Sequence, residues 1–193
     1  MIYTAFVGTG EELRFEKNVF RLMEKYKLSY AYAPGTGIEV NPPGCDSPKY
    51  MMFQTDTPTL IDGAAPLFMI FKDSFEAGAL PAFKDTIPCK CVIIDPQNEK
   101  SVNLMSKSDV CAVTCGMSEM DTLTYSSINS ESITVSLQRT IYSMHNEAID
   151  PQELRIDIPL QPGDEYSLLA GVALILLTAG NVINKKHNEY IEY

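Results

Sequence analysis

Positive charge is scarce in this sequence. Lys and Arg number 15 against 25 Asp and Glu in 193 residues, a formal charge of −10. Such a surface repels phosphate backbones and anionic bilayers, so nucleic acid and membrane are excluded as expected partners. A long hydrophobic run is also missing. The longest uncharged stretch is YSLLAGVALILLTAGNVIN, beginning at Tyr166, and its strongly apolar part runs only from Leu168 to Ala179. A bilayer needs about 20 apolar residues, so this segment is expected to be a buried core helix. The opening residues MIYTAFVGTGEELRFEK lack the basic head and apolar body of an export signal, so a cytoplasmic location is expected. Cysteines are five, an odd number, and most sit in apolar runs. Without export they are expected to be reduced, buried thiols rather than a disulfide framework. There is no internal repeat, low-complexity tract or clear interdomain linker. The two histidines, His145 in a turn and His187 in the tail, share no triad-like spacing with Ser or Cys.

What remains is enough for a core, and residues 1–193 are expected to form one α/β domain. Residues 34–66 form an irregular Pro/Gly-rich segment within it, and 185–193 a frayed tail. Ile2 to Val7 has the β-branched and aromatic content of a strand. Gly8-Thr9-Gly10 turns the chain, and Glu11 to Leu28 has helical periodicity, with Leu13, Phe20, Met23 and Tyr26 near one face. Short strands are expected at Ile38 to Val40 and Met51 to Phe53. Ala64 to Phe75 is apolar without a clear period, which fits a helix or a buried strand; a helix with Pro66 in its first turn is the reading adopted. Cys89 to Ile94 and Val110 to Cys115 are near-continuous apolar runs flanking a short helix, Asn98 to Met105. Such runs suit a parallel sheet covered on both faces. Leu123 to Ile128, Ile133 to Tyr142 and Leu154 to Ile158 alternate apolar with polar, as half-exposed antiparallel strands do. The fold class expected is a mostly parallel sheet flanked by helices, with an antiparallel hairpin extension.

Three short patterns resemble the central domain of the Mur ligase family, the ATP-dependent amide-bond ligases of peptidoglycan and folate metabolism. Ile93-Ile94-Asp95-Pro96 is similar to the family's strand ending in an Asp-Pro turn. Val113-Thr114-Cys115-Gly116 is similar to its strand ending in Gly. Gly163, followed by Ser167 to Ala173, is similar to its glycine before an alanine-rich helix. The resemblance implies a Mur-ligase-central-domain-like fold in a bacterial protein. It also implies a phosphate loop, G-T-N-G-K-[ST], after the first strand. This chain has Gly8-Thr9-Gly10-Glu11-Glu12 there. The Lys that neutralises phosphate is absent, and each carboxylate would repel a triphosphate by about 1 kcal/mol even in water-like surroundings. The family's metal-binding segments and the His and Asn before its alanine-rich helix also have no counterpart, so no cofactor is expected.

Candidate binding residues follow from the strand ends, where open α/β sheets hold ligands: Gly8, Thr9, Gly10, Asp95, Thr114, Cys115, Gly116, Ser118 and Asp121. Each has a plainer reading. The first glycine turn either holds an anion or is a tight turn, and Glu11 and Glu12 oppose the anion. Pro34-Gly35-Thr36-Gly37 shares that ambiguity. The hydroxyls and carboxylates of 114–127, Thr122 and Thr124 among them, either meet a ligand or tie a hairpin together. Cys89, Cys91, Cys111 and Cys115 either gather around zinc or are core; core is the reading adopted, and no metal is expected. Asp56, Asp62, Asp73 and Asp95 have no magnesium-site spacing. Arg139 either pairs with an acid or recognises a carboxylate. No catalytic constellation is legible. The leading expectation is a small-molecule-binding or regulatory protein that has lost ligation. An enzyme with a ligand site at the strand ends, and a homo-oligomer joined through the 34–66 segment, stay open beside it.

Overall fold

The structure, a computed structural model, describes residues 1–9, 13–34, 37–56, 67–76, 89–180 and 182–183. Strand β1 (Ile2–Val7) alternates between two buried faces, Ile2 and Phe6 on one, Ala5 and Val7 on the other. Helix α1 (Arg14–Lys25) buries an apolar stripe of Phe15, Val19, Leu22 and Met23; of the face expected from the sequence Met23 and Tyr26 are buried, whereas Leu13 and Phe20 are half-buried. Then come β2 (Tyr30–Ala33), β3 (Glu39–Asn41), β4 (Tyr50–Thr55), β5 (Phe68–Phe71), β6 (Cys91–Ile94), α2 (Glu99–Met105) and β7 (Cys111–Thr114). The seven strands form one sheet in the order β3-β2-β4-β1-β5-β6-β7. Every pairing in it is parallel except β2 with β3. The chain leaves β1 toward β2 and leaves β5 toward β6, in opposite directions across the sheet. The gap between the carboxyl ends of β1 and β5 is therefore the topological switch point, where such sheets receive ligands.

The antiparallel part follows. Strands β8 (Leu123–Ile128) and β9 (Ile133–Leu137) pair, β10 (Ile141–Tyr142) and β11 (Ala148–Ile149) make a small hairpin, and β12 (Gln152–Ile156) returns beside β9. Helix α3 (Glu165–Ala179) is buried at every residue from Ser167 to Thr178. It is apolar around its whole circumference because it packs in one core with α1, one face of the large sheet and the three-stranded sheet. Among the described residues no helix is long and apolar enough to cross a membrane. A second core, on the other sheet face, joins Val7, Met69, Phe71, Phe75, Val92 and Ile94 to Met105 of α2.

The expected mostly parallel sheet with an antiparallel extension is present, but local details differ. The described part of Ala64 to Phe75 is strand β5, not a helix; residues 64–66, with Pro66, lie outside the described residues. Phe68 to Phe71 is buried on both faces between β1 and β6. A strand covered on both sides has no apolar period, so only its neighbours reveal it. Tyr30–Ala33 is a further strand that the sequence reading missed. Strand β7 lies at the sheet edge, with Cys111 and Ala112 exposed rather than covered on both faces. The thiols likewise divide: Cys91 and Cys115 are buried, Cys45 and Cys89 half-buried, and Cys111 exposed.

Candidate functional site

Six parallel strands end on one side of the large sheet, and the residues that follow four of them build the site. After β1 come Gly8 and Thr9; after β5, Lys72, Asp73 and Ser74; after β6, Asp95; after β7, Cys115 and Gly116. The two loops at the switch point are tied together. Thr9 Oγ1 donates to Ser74 O at 3.2 Å, and Ser74 Oγ donates to Thr9 O at 2.6 Å. The Lys72 amide donates to Val7 O at 2.8 Å. Gly8 has φ 155°, and a Cβ there would lie 2.9 Å from Lys72 Cβ, so the β1–β5 gap is closed by backbone and side chain together.

Lys72 itself points inward. Its Nζ sits 2.9 Å from Glu16 Oε1 in the first turn of α1, and the two side chains are 3% and 0% exposed. Glu16 Oε2 has no partner among the described groups. Arg14 is the other cation at this end; its Nε lies 2.7 Å from Asp164 Oδ1 and its guanidinium also donates to Pro162 O. Tyr166, on α3, donates to Phe71 O at 2.5 Å and Ile93 O at 3.2 Å, which pins the central helix beneath the ends of β5 and β6. Burial pushes its phenol well above the ordinary value. Asn98 caps α2 and its Nδ2 donates to Asp73 O and Phe75 O, which holds the Asp73 loop.

These groups line a trough made of two adjoining cavities. One, of about 360 Å³, is bounded by Thr9, Arg14, Lys72, Ser74, Asp164 and Ser167. The other, of about 380 Å³, is bounded by Asp95, Gln97, Cys115, Gly116, Met117 and Glu165. Asp73, Gly163 and Tyr166 border both. Among the described residues Asp73 and Asp95 form no ion pair. Burial, then the neighbouring Asp73 and Asp121 charges, raise the Asp95 pKa above its ordinary 3.8, against a hydrogen bond from the Gln97 amide that lowers it. The folded state therefore binds this proton more tightly than the unfolded chain, and stability falls as pH rises from 3.8 through the raised value. Asp95→Asn keeps an acceptor for the Gln97 amide and removes the charge. Relative to wild type, its thermal midpoint is expected to rise at neutral pH, with that gain vanishing below pH 3.8; melts at both ends of the range check this, and an equal difference at both would refute it.

The structure brings only part of the expected residue set to the trough. Thr9, Asp95, Cys115 and Gly116 border it, and Gly8 closes the β1 end. Gly10, Glu11, Glu12 and Asp62 lie outside the described residues, as do Gly35, Thr36 and His187. Thr114, Ser118 and Asp121 serve the hairpin. The Thr122 amide donates to Thr114 Oγ1 at 2.9 Å, and the Ser118 amide donates to Asp121 Oδ2 at 3.1 Å. The Asp121 carboxylate occupies the space beside Gly116 that any side chain would claim. Cys115 is fully buried and burial raises its pKa well above normal, which removes it as an open thiol. Arg139 pairs with no acid among the described residues; it donates to Met120 O at 2.6 Å. Among the described residues no three His, Cys, Asp or Glu side chains are arranged to hold a metal ion. Glu16, Lys72, Asp164 and Tyr166 were not anticipated, and Asp73, considered only as a scattered acid, stands beside Asp95 on the trough. The one local signal was Lys72-Asp73-Ser74 directly after an apolar run, which a strand reading of that run would have placed at a strand end.

No family profile and no curated protein matches the chain. Solved structures do. A UDP-N-acetylmuramoyl-L-alanyl-D-glutamate–2,6-diaminopimelate ligase is similar at TM-score 0.57 and 10% identity, over 95% of this chain and 45% of its own. A UDP-N-acetylmuramate:L-alanyl-γ-D-glutamyl-meso-diaminopimelate ligase from Neisseria meningitides is similar at TM-score 0.52 and 13% identity, over 89% of this chain and 60% of its own. A murein peptide ligase from Psychrobacter arcticus gives 0.50 and 10%, over 93% and 44%. The chain thus has a Mur-ligase-like fold and spans about half the length of these neighbours.

Proposed function

We propose that this chain is a small-molecule-binding protein on a Mur-ligase-like scaffold, and that its trough takes a small amine-bearing molecule rather than a nucleoside triphosphate. The observation that carries this reading is the buried Lys72–Glu16 pair at the switch point. A triphosphate needs free cations and open backbone amides between β1 and β5. There the described cations, Lys72 and Arg14, are each already matched by a carboxylate, and the loops are bonded to each other. Among the described residues the remaining charges, Asp73, Asp95 and Glu165, are negative and line the trough, which favours a ligand that brings an ammonium group. One of the similar structures is named for a ligase of 2,6-diaminopimelate, an amino acid with two such groups, and another for a ligase of a peptide that contains it.

Thermal melts with 2,6-diaminopimelate and with ATP–Mg²⁺ test it. At a hundredfold excess over Kd a ligand adds about 2.7 kcal/mol, which raises Tm by about 5–10 °C for a chain of this size. That rise is expected with the diamine and not with ATP–Mg²⁺. A rise with ATP–Mg²⁺ would favour the second reading, an enzyme that keeps a nucleotide at the strand ends; the position of the trough at the switch point is the observation that supports it.

A further inference from the structure

The opposite end of the large sheet holds a second cavity, of about 410 Å³, at the start of β5, β6 and β7. Its body is apolar, with Phe68, Val113, Ile141 and Leu177 among the walls. Among the described residues Lys90 and Arg139 are its charged residues and no carboxylate lines it, in a chain of net charge −10. Lys90 Nζ donates to Met144 O at 2.9 Å and Asn146 Oδ1 at 3.3 Å, and Arg139 donates to Met120 O. Among the described residues neither cation is neutralised by an acid.

The same wall carries two thiols. Cys91 on β6 and Cys111 on β7 are register partners in a parallel pair, so their side chains project to one face. Adjacent strands lie about 4.8 Å apart, within the Cα separation of about 4.4–6.8 Å that a disulfide spans. Cys111 is exposed on the edge strand, and Cys91 is 4% exposed behind it. The interaction of the two thiols lowers the Cys111 pKa and, with burial, raises that of Cys91; Cys91 Sγ itself donates to Val92 O at 3.7 Å. Cys115 is fully buried, Cys45 and Cys89 are half-buried, and burial pushes Cys89 up to about 12, so Cys111 is the exposed thiol among the five.

We infer that Cys111 is a thiol–disulfide exchange site for anionic small-molecule disulfides, with Cys91 as the resolving thiol. The Cys111 thiolate attacks one sulfur of the disulfide; that S–S bond breaks, one half leaves as a thiolate, and the other half stays on Cys111. Cys91 then attacks the Cys111 sulfur and releases its proton to solvent. The second half leaves as a thiolate, and a Cys91–Cys111 disulfide remains. Two electrons pass to the small molecule, which is reduced to two thiols. The cavity accommodates the transiently attached half, and Lys90 and Arg139 attract its carboxylates.

The reduced full chain is incubated with glutathione disulfide, which is anionic, or cystamine, which is cationic, and followed by intact mass and peptide mapping. Wild type is expected to finish two hydrogens lighter, with Cys91 bonded to Cys111. Cys91→Ser stops with one glutathione on Cys111. Lys90→Ala with Arg139→Ala slows glutathione disulfide several-fold and leaves the cystamine rate unchanged. Modification of Cys45 or Cys89 ahead of Cys111, a wild-type glutathione adduct that never resolves, or a cystamine rate equal to or above that of glutathione disulfide would each overturn the inference. The wild-type outcomes need no variant, so they stand even where a substitution disturbs folding.

Discussion

Lys72→Met is expected to lower the free energy of unfolding by about 3–5 kcal/mol, the usual cost of removing one partner of a buried ion pair. Glu16 is wholly buried, its Oε1 is 2.9 Å from Lys72 Nζ, and its Oε2 has no other partner among the described groups. With the ammonium gone, a carboxylate stays in the core with nothing to offset its lost hydration. The pair itself contributes far less than that, because burying both charges is costly too. Glu16→Met together with Lys72→Met, two apolar side chains of similar length, should therefore stand within about 1 kcal/mol of wild type or above it. Urea unfolding of the three proteins decides the matter. A single variant that loses less than about 1 kcal/mol would mean that water reaches Glu16, and the case for a closed β1–β5 gap would fail with it.

Gly171→Leu should destabilise by about 3 kcal/mol or more, at the upper end of overpacking costs. Gly171 lies on α3 where it crosses α1. A Cβ at that position would stand 2.6 Å from Leu22 Cδ1 and 3.4 Å from Val19 Cα. Leu22 and Val19 are both fully buried, so neither can swing into solvent. A leucine forces the two helices apart, and with them the Phe15–Tyr166 ring contact, now 5.4 Å between centroids, at the floor of the trough. Gly171→Ala is the graded control. Alanine recovers about 1 kcal/mol of helix propensity, which offsets part of the clash with a single methyl. Its loss should be about 1 kcal/mol or less. If leucine unfolds at the same denaturant concentration as alanine, the helices are not packed this closely.

Several elements were legible because their signals are local. The β-branched and aromatic content of Ile2 to Val7, the helical period of α1, the short helix α2 between two apolar runs and the strands β8 and β9 all announce themselves within a few residues. Asp95-Pro96 and Thr114-Cys115-Gly116 were correctly placed at strand ends. Their roles were not legible. Thr114, Ser118 and Asp121 looked like ligand contacts by type alone, yet their bonding partners are supplied by the hairpin that follows. Phe68 to Phe71 looked helical because a strand covered on both sides lacks the alternation that betrays half-buried strands.

By itself the sequence determined the α/β class, the all-round burial of α3 and the ends of the parallel strands, since each depends on periodicity and turn chemistry within a dozen residues. Only the tertiary structure decided what those ends do. Glu16 and Lys72 are 56 residues apart, Arg14 and Asp164 are 150 apart, and Cys91 meets Cys111 through strand register. Which charges neutralise one another, which thiol is exposed and which strand becomes an edge depend on neighbours brought in from far along the chain, and no local pattern encodes them.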